Sequence, residues 1–300
     1  MQSHYQIRHR TLYRYSDAVA ICQNQLRMMP RSISTRVFQV ENHWVQARIA
    51  PEPEHYHEHH DYYGNRVLSF SIESPHRELE VELESEVTVT ENQPVAEIDS
   101  PSWNEVSDAI DGRFDIDWLQ TQEFLFDSPR IKRDVRFADY ARSSFPEGRP
   151  VAEAAMDLTR RIHEDFSYDS SATDVTTTTE QAFDMRAGVC QDFAHVQIAC
   201  LRSLGLPARY VSGYLRTLPP EGQERLAGAD ESHAWVSLYA GDEIGWIDFD
   251  PTNARPMDTN HIPICIGRDY ADVSPMRGVV LGGGKTMLNV EVDVVPMEAT

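Results

Sequence analysis

Cys190 is the side chain of this sequence best placed for covalent chemistry. Residues 190–204 are apolar on most sides and stop at Gly205-Leu206-Pro207, which predicts a buried helix with a glycine stop and a proline beyond it. Cys190 then lies in the first turn, where open N–H groups and the positive end of the helix dipole favour a thiolate. Cysteines so placed can have pKa values of about 3.5 to 7.5. The same N–H groups, with Gln191 next in the chain, can cradle an oxyanion. Cys200 sits on the same helix about 15 Å further along, too far for a disulfide to Cys190, and reads as core filler.

A nucleophile of this kind needs a base. His195 follows on the same helix, about 140° around it from Cys190, so its ring points elsewhere. His233 is better placed. Residues 233–239 (HAWVSLY) and 246–252 (WIDFDPT) are β-like runs joined by the turn-rich residues 240–245, a hairpin. A turn centred between Gly241 and Asp242 sets His233 directly opposite Asp250, with Cβ atoms about 4.5 to 5.5 Å apart. A centre one residue later pairs Trp235 with Asp250 and leaves His233 on the adjacent diagonal. Either register lets Asp250 orient the imidazole; Asp248 shares that face and is the runner-up. Pro251 removes a backbone donor and should end regular pairing. Trp235 and Trp246 either wall a substrate groove or fill core.

These groups must be carried by a larger framework. The chain opens with strand patterns: in residues 5–15, Tyr5, Ile7, His9, Thr11, Tyr13 and Tyr15 alternate with Gln6, Arg8, Arg10 and Arg14. Residues 38–49 are strand-like with a change of phase near Trp44, and residues 67–72 follow the turn pair Gly64-Asn65. Residues 79–89 alternate Leu79, Val81, Leu83, Ser85, Val87 and Val89 against Glu78, Glu80, Glu82, Glu84 and Glu86. That acidic stripe predicts a solvated outer face. Residues 1–95 thus read as an antiparallel β domain, residues 96–155 as a helical connection, residues 156–262 as the core bearing the chemistry, and residues 263–300 as a C-terminal segment with a returning strand. The fold class is α+β, with the helix carrying Cys190 packed on an antiparallel sheet.

Composition narrows the partners. The 300 residues carry 27 Lys and Arg against 48 Asp and Glu, a formal net charge of −21, which disfavours nucleic acid and anionic membrane surfaces. The four cysteines, Cys22, Cys190, Cys200 and Cys265, form no C-x-x-C pair and no disulfide framework. The start shows no signal-peptide pattern, and no stretch approaches the ~18 apolar residues of a membrane span. These features predict a cytoplasmic protein and leave oligomeric state open; the acidic surface would steer basic peptide or protein substrates only at long range.

The segments Gly188-Val189-Cys190-Gln191-Asp192-Phe193-Ala194, Leu206-Pro207-Ala208-Arg209-Tyr210-Val211-Ser212-Gly213-Tyr214, His233-Ala234-Trp235 and Trp246-Ile247-Asp248-Phe249-Asp250-Pro251-Thr252 resemble, in order, the transglutaminase-like superfamily of papain-related cysteine enzymes. Residues 7–15, Leu26-Arg27-Met28-Met29-Pro30-Arg31 and Asp61-Tyr62-Tyr63-Gly64-Asn65 resemble the β domain that precedes this core in bacterial members. The resemblance implies a nucleophile at Cys190, a general base at His233 and an orienting carboxylate at Asp250. It further implies thioester-forming acyl transfer on an amide, as in a peptidase or amidase, or with an amine acceptor as in a cross-linking transglutaminase. Family members can complete the oxyanion hole with an upstream side chain, which makes Tyr168 a candidate; Gln191 and Trp235 are candidate substrate contacts. No cofactor is implied, and the calcium sites of animal transglutaminases lie outside the matching stretch.

Two competing expectations remain. His55, His57 and His59 alternate within His55-Tyr56-His57-Glu58-His59-His60-Asp61 and could share a strand face toward a metal, although a short polar strand or loop without distant ligands accounts for the run. The chain could also be a catalytically silent or weak peptide-binding module. Residues 216–232 read as a surface flap beside the cleft.

Overall fold

The computed structural model describes residues 1–110, 116–174, 176–217 and 230–297. Six strands open the chain: β1 (Gln2–Leu26), β2 (Ile33–Ser34), β3 (Phe38–Ala50), β4 (His55–His60), β5 (Arg66–Ile72) and β6 (His76–Glu91). They form an antiparallel sheet in the order β2-β3-β6-β1-β5-β4. The period-two pattern sorts its two faces. Tyr5, Ile7, His9 and Thr11 are buried, whereas Arg8, Arg10 and Arg14 meet Glu82, Glu80 and Glu78 of β6 at 3.0, 2.6 and 3.0 Å. Arg48 of β3 takes Glu84 at 2.7 Å. The acidic stripe is therefore an ion-paired outer face. The change of phase near Trp44 corresponds to a register shift between Asn42 and Trp44 in the β3–β6 ladder.

A helical stretch follows: α1 (Trp103–Ile110), α2 (Ile116–Gln122), α3 (Val135–Arg142) and α4 (Val151–Asp165). Then come β7 (Ser167–Tyr168), α5 (Thr179–Met185), β8 (Ala187–Gly188) and α6 (Cys190–Ser203). The second sheet is built from β9 (Ala208–Leu215), β10 (Glu231–Tyr239), β11 (Trp246–Asp250), β12 (Arg255–Pro256) and β13 (His261–Gly267), in the order β12-β11-β10-β9-β13. Helix α6 is apolar nearly all round because it is buried nearly all round: Phe193, Ala194, Val196, Ile198, Ala199, Cys200 and Leu201 are each no more than 1% exposed. It packs on β9 and β10 and against α3, α4 and α5.

After α7 (Tyr270–Val273), β14 (Met276–Gly282) and β15 (Thr286–Pro296) both return to β1. The C-terminal segment thus supplies two returning strands, and β13 carries the second sheet past the expected boundary at residue 262. Asn65 joins the two sheets. Fully buried, it receives the Ile266 N–H at 2.9 Å, donates to the Ile266 carbonyl at 2.8 Å and accepts from Arg31 at 2.7 Å. The expected flap falls largely on residues 218–229, outside the described residues.

Candidate active site

Helix α6 begins at Cys190. Asp192, in the first turn, folds back to accept the Val189 N–H at 2.9 Å and the Thr173 hydroxyl at 2.7 Å, which ties the polar loop before α5 to the helix start. Gly188 makes this possible, since a Cβ there would lie 2.5 Å from the Asp192 carboxylate oxygen. The helix position leaves the N–H groups of Cys190 and Gln191 without an intrahelical acceptor. Both residues are half-buried. Cys22, Cys200 and Cys265 are fully buried instead.

The hairpin of β10 and β11 takes the later of the two registers. Val236 faces Phe249 and Ser237 faces Asp248, so continuing the ladder sets Trp235 opposite Asp250 and His233 on the diagonal. The earlier register, with His233 directly opposite Asp250, does not occur, because the turn closes from Ala240 onto Gly245. The diagonal still suffices. His233 Nε2 lies 2.9 Å from Asp250 Oδ2, both side chains being almost wholly buried, and Cys190 is a neighbour that favours the charged form of the same imidazole. Burial works against a charge on His233, but the hydrogen bonds and charges of Asp250 and Cys190 outweigh it and push the imidazole up to about 10. Burial likewise opposes the Asp250 charge, yet hydrogen bonds from His233 and His261 hold its carboxyl well below the usual range.

Asp250 is anchored on every side. Its Oδ1 accepts the N–H groups of Thr252 and Asn253 at 2.9 and 3.2 Å. Its Oδ2 accepts from Asn253 Nδ2 at 2.7 Å and from His261 Nε2 at 3.1 Å besides His233. The sequence reading missed Asn253, His261 and Asp258, which touches His261 Nδ1 at 2.9 Å. An asparagine three residues after Asp250 was a local signal; His261 had none, since β13 reaches this place only through the strand order.

The other candidates lie as follows. Tyr168, 54% exposed, pairs in the short parallel ladder with Gly188 and so stands beside the helix start. Trp235 does not wall a groove: its side chain is wholly buried and its indole N–H goes to Asp248 Oδ2 at 2.9 Å. That bond also occupies the runner-up orienter. Trp246 is half-buried under the Arg209 guanidinium, 4.0 Å from its ring. His195 is buried and receives the Tyr270 N–H at 3.2 Å, and burial lowers it to about 3. His55 and His57 lie on the exposed edge strand β4 beside a shallow hollow of about 540 Å3. Among the described residues, the group whose ligand atoms converge within 4.8 Å is His233, Asp250 and His261, not the β4 histidines.

Similarity to known proteins follows the same outline. The transglutaminase-like superfamily model matches residues 138–251 and the bacterial transglutaminase-like N-terminal region matches residues 5–88. An uncharacterized protein of Mycobacterium tuberculosis is 38% identical, over 98% of this chain and 93% of its own. A protein-glutamine gamma-glutamyltransferase of Pseudomonas aeruginosa is 35% identical over 138 residues, 45% of this chain and 20% of that one. The crystal structure of a proposed cysteine protease from Cytophaga hutchinsonii matches in fold over 100% of this chain and 92% of that one, with a TM-score of 0.73 at 22% identity. The chain belongs to the transglutaminase-like superfamily, with the bacterial N-terminal β region ahead of its core.

Proposed function

We propose that the protein is a cysteine-dependent acyl-transfer enzyme that attacks an amide through Cys190, His233 and Asp250. The observation that carries this reading is His233 bonded to the buried Asp250 carboxylate, with Cys190 of the helix start as the neighbour that favours its charge. The thiolate of Cys190 adds to the amide carbonyl, and the N–H groups of Cys190 and Gln191 receive the oxyanion. The His233 imidazolium gives its proton to the departing nitrogen as the C–N bond breaks, leaving a thioester on Cys190. His233 then takes a proton from water as that water adds to the thioester carbonyl; the carboxylic acid leaves and the thiol is restored. This makes the protein a peptidase or amidase.

The similarity to a protein-glutamine gamma-glutamyltransferase favours a second reading, in which a primary amine replaces water and the product is a cross-link. Incubation with a glutamine-containing peptide library and an amine probe, read by mass spectrometry, separates the outcomes. Cleavage or deamidation supports hydrolysis, amine incorporation supports transfer, and neither product above a Cys190→Ala control defeats both. Iodoacetamide at pH 6 addresses the silent-module alternative. An enzyme alkylates at Cys190 well above the rate of free cysteine and loses that excess in His233→Ala.

A further inference from the structure

We propose that His261 is a positioning residue of this site, one that sets how firmly His233 holds its proton by sharing the Asp250 oxygen to which His233 is bonded. The inference rests on the acyl-transfer reading above and deepens it.

The geometry is specific. His261 is wholly buried at the start of β13, and its Nε2 lies 3.1 Å from Asp250 Oδ2, the oxygen that His233 Nε2 meets at 2.9 Å. The other nitrogen is held too: Nδ1 lies 2.9 Å from Asp258 Oδ1 and 3.2 Å from the Asp258 N–H. Asp258 in turn pairs with Arg255 at 2.9 Å. A chain of alternating acids and bases therefore runs from His233 through Asp250, His261 and Asp258 to Arg255 near the surface. The Trp235 ring meets the His261 ring edge-on at 5.3 Å and fixes its plane.

Sharing has a consequence. A carboxylate oxygen with one imidazole donor concentrates its charge on that donor; with two, each hydrogen bond is weaker and the proton on His233 is easier to release to a leaving amine. Among the described residues, the titratable and charged groups around His233 are Cys190 from α6, Asp250 from β11 and His261 from β13, with Asp258 and Arg255 behind His261. Asp248 of β11 is taken by the Trp235 indole. Removing His261 should thus leave His233 as the one imidazole on Asp250 Oδ2, beside the Asn253 amide, and raise its hold on the proton.

Iodoacetate tests this without a substrate. As an anion it is drawn to the imidazolium, so its reaction with Cys190 falls as His233 deprotonates, and the descending limb of the pH profile reports that step. In His261→Phe, which fills the volume without a donor, the limb should move to higher pH by about one unit, a tenfold change in proton affinity, and turnover should fall at unchanged KM. His261→Gln, which restores a donor toward Asp250, should bring the limb back. Asp258→Asn, altered at a partly exposed side chain, should move it in the same direction by less. A purely structural His261 would lower the melting temperature in the Phe variant and leave the limb where it was; that result overturns the proposal. If the native protein itself shows no enhanced, His233-dependent alkylation, the acyl-transfer reading has failed instead.

Discussion

Gly213 stands directly across the β9–β10 ladder from His233, and the space its side chain would occupy is filled by the ring of Trp235, with a Cβ at this position falling 2.6 Å from Trp235 Cζ3. On the other side of β9, Gly213 pairs with Pro263, two residues after His261. The glycine is thus the gap through which Trp235 reaches His261. Gly213→Ala should displace the indole, cost about 1–3 kcal/mol of stability through overpacking, and disturb both imidazoles bonded to Asp250. Urea unfolding and the rate of Cys190 alkylation should fall together. A variant as stable as the native chain but slow to alkylate would show that the glycine acts on the site alone.

Asp250→Asn tests the carboxylate. The substitution keeps size but removes the charge that five hydrogen bonds converge upon. Without it, the factor that lifts His233 above its ordinary value is lost, and imidazolium at neutral pH becomes scarce. Breaking a buried pair of this kind costs about 3–5 kcal/mol, and loss of a positioned general acid about 100-fold or more in rate. Turnover within threefold of native, measured on any amide substrate found for the native protein, would remove Asp250 from the proposed reaction.

Stability should peak near pH 6.5. His233 is raised to about 10, so the native state keeps a proton that the unfolded chain releases above its ordinary value of 6.5. Its contribution is complete below 6.5 and disappears as pH rises through 10. His9 and His195 have the opposite sign: burial lowers them to about 4 and about 3, so the unfolded chain gains protons below 6.5 that the native state refuses. Their penalty grows as pH falls toward those values, and Asp250, whose pKa is lowered, adds to it below 3.8. Unfolding free energies from pH 4 to 10 should form a dome, and His233→Gln should flatten its alkaline side. An alkaline side as steep in that variant as in the native chain would contradict the assignment.

Much of the candidate site was legible because its signals are local. Cys190 announces itself by an apolar helix that starts there and ends at Gly205, and His233 and Asp250 belong to one hairpin joined by a short turn. The exact register was not, since two turn centres one residue apart satisfy the same side-chain pattern. His261 was hidden by topology: it follows Asp250 in sequence but arrives from the far side of β9, and only the order β10-β9-β13 explains why. For Trp235 the sequence favours core but leaves a groove wall open, because a large ring beside a hairpin fits either, and burial is decided by what packs on it from β13. The strands of the N-terminal sheet were legible by their alternation, whereas the pairing of β14 and β15 with β1 is a contact between the two ends of the chain that no local pattern encodes.

Asn65 offers a reading of how the two sheets depend on each other. Its side chain bonds the N–H and carbonyl of Ile266, and replacing it by alanine leaves both backbone groups without their partner, while Arg31 keeps only its bond to the Tyr63 carbonyl. Each orphaned buried group costs about 1–3 kcal/mol. The nearby thiol of Cys265 lies 3.6 Å from the Arg27 carbonyl and is wholly buried, so it reports on this contact, while Cys200, wholly buried in α6, reports on the core. In Asn65→Ala, Cys265 should react with a disulfide reagent at urea concentrations where Cys200 is still protected. Simultaneous exposure of the two thiols would mean that the sheets unfold as one unit and that Asn65 lends stability to the whole without acting as a separate latch.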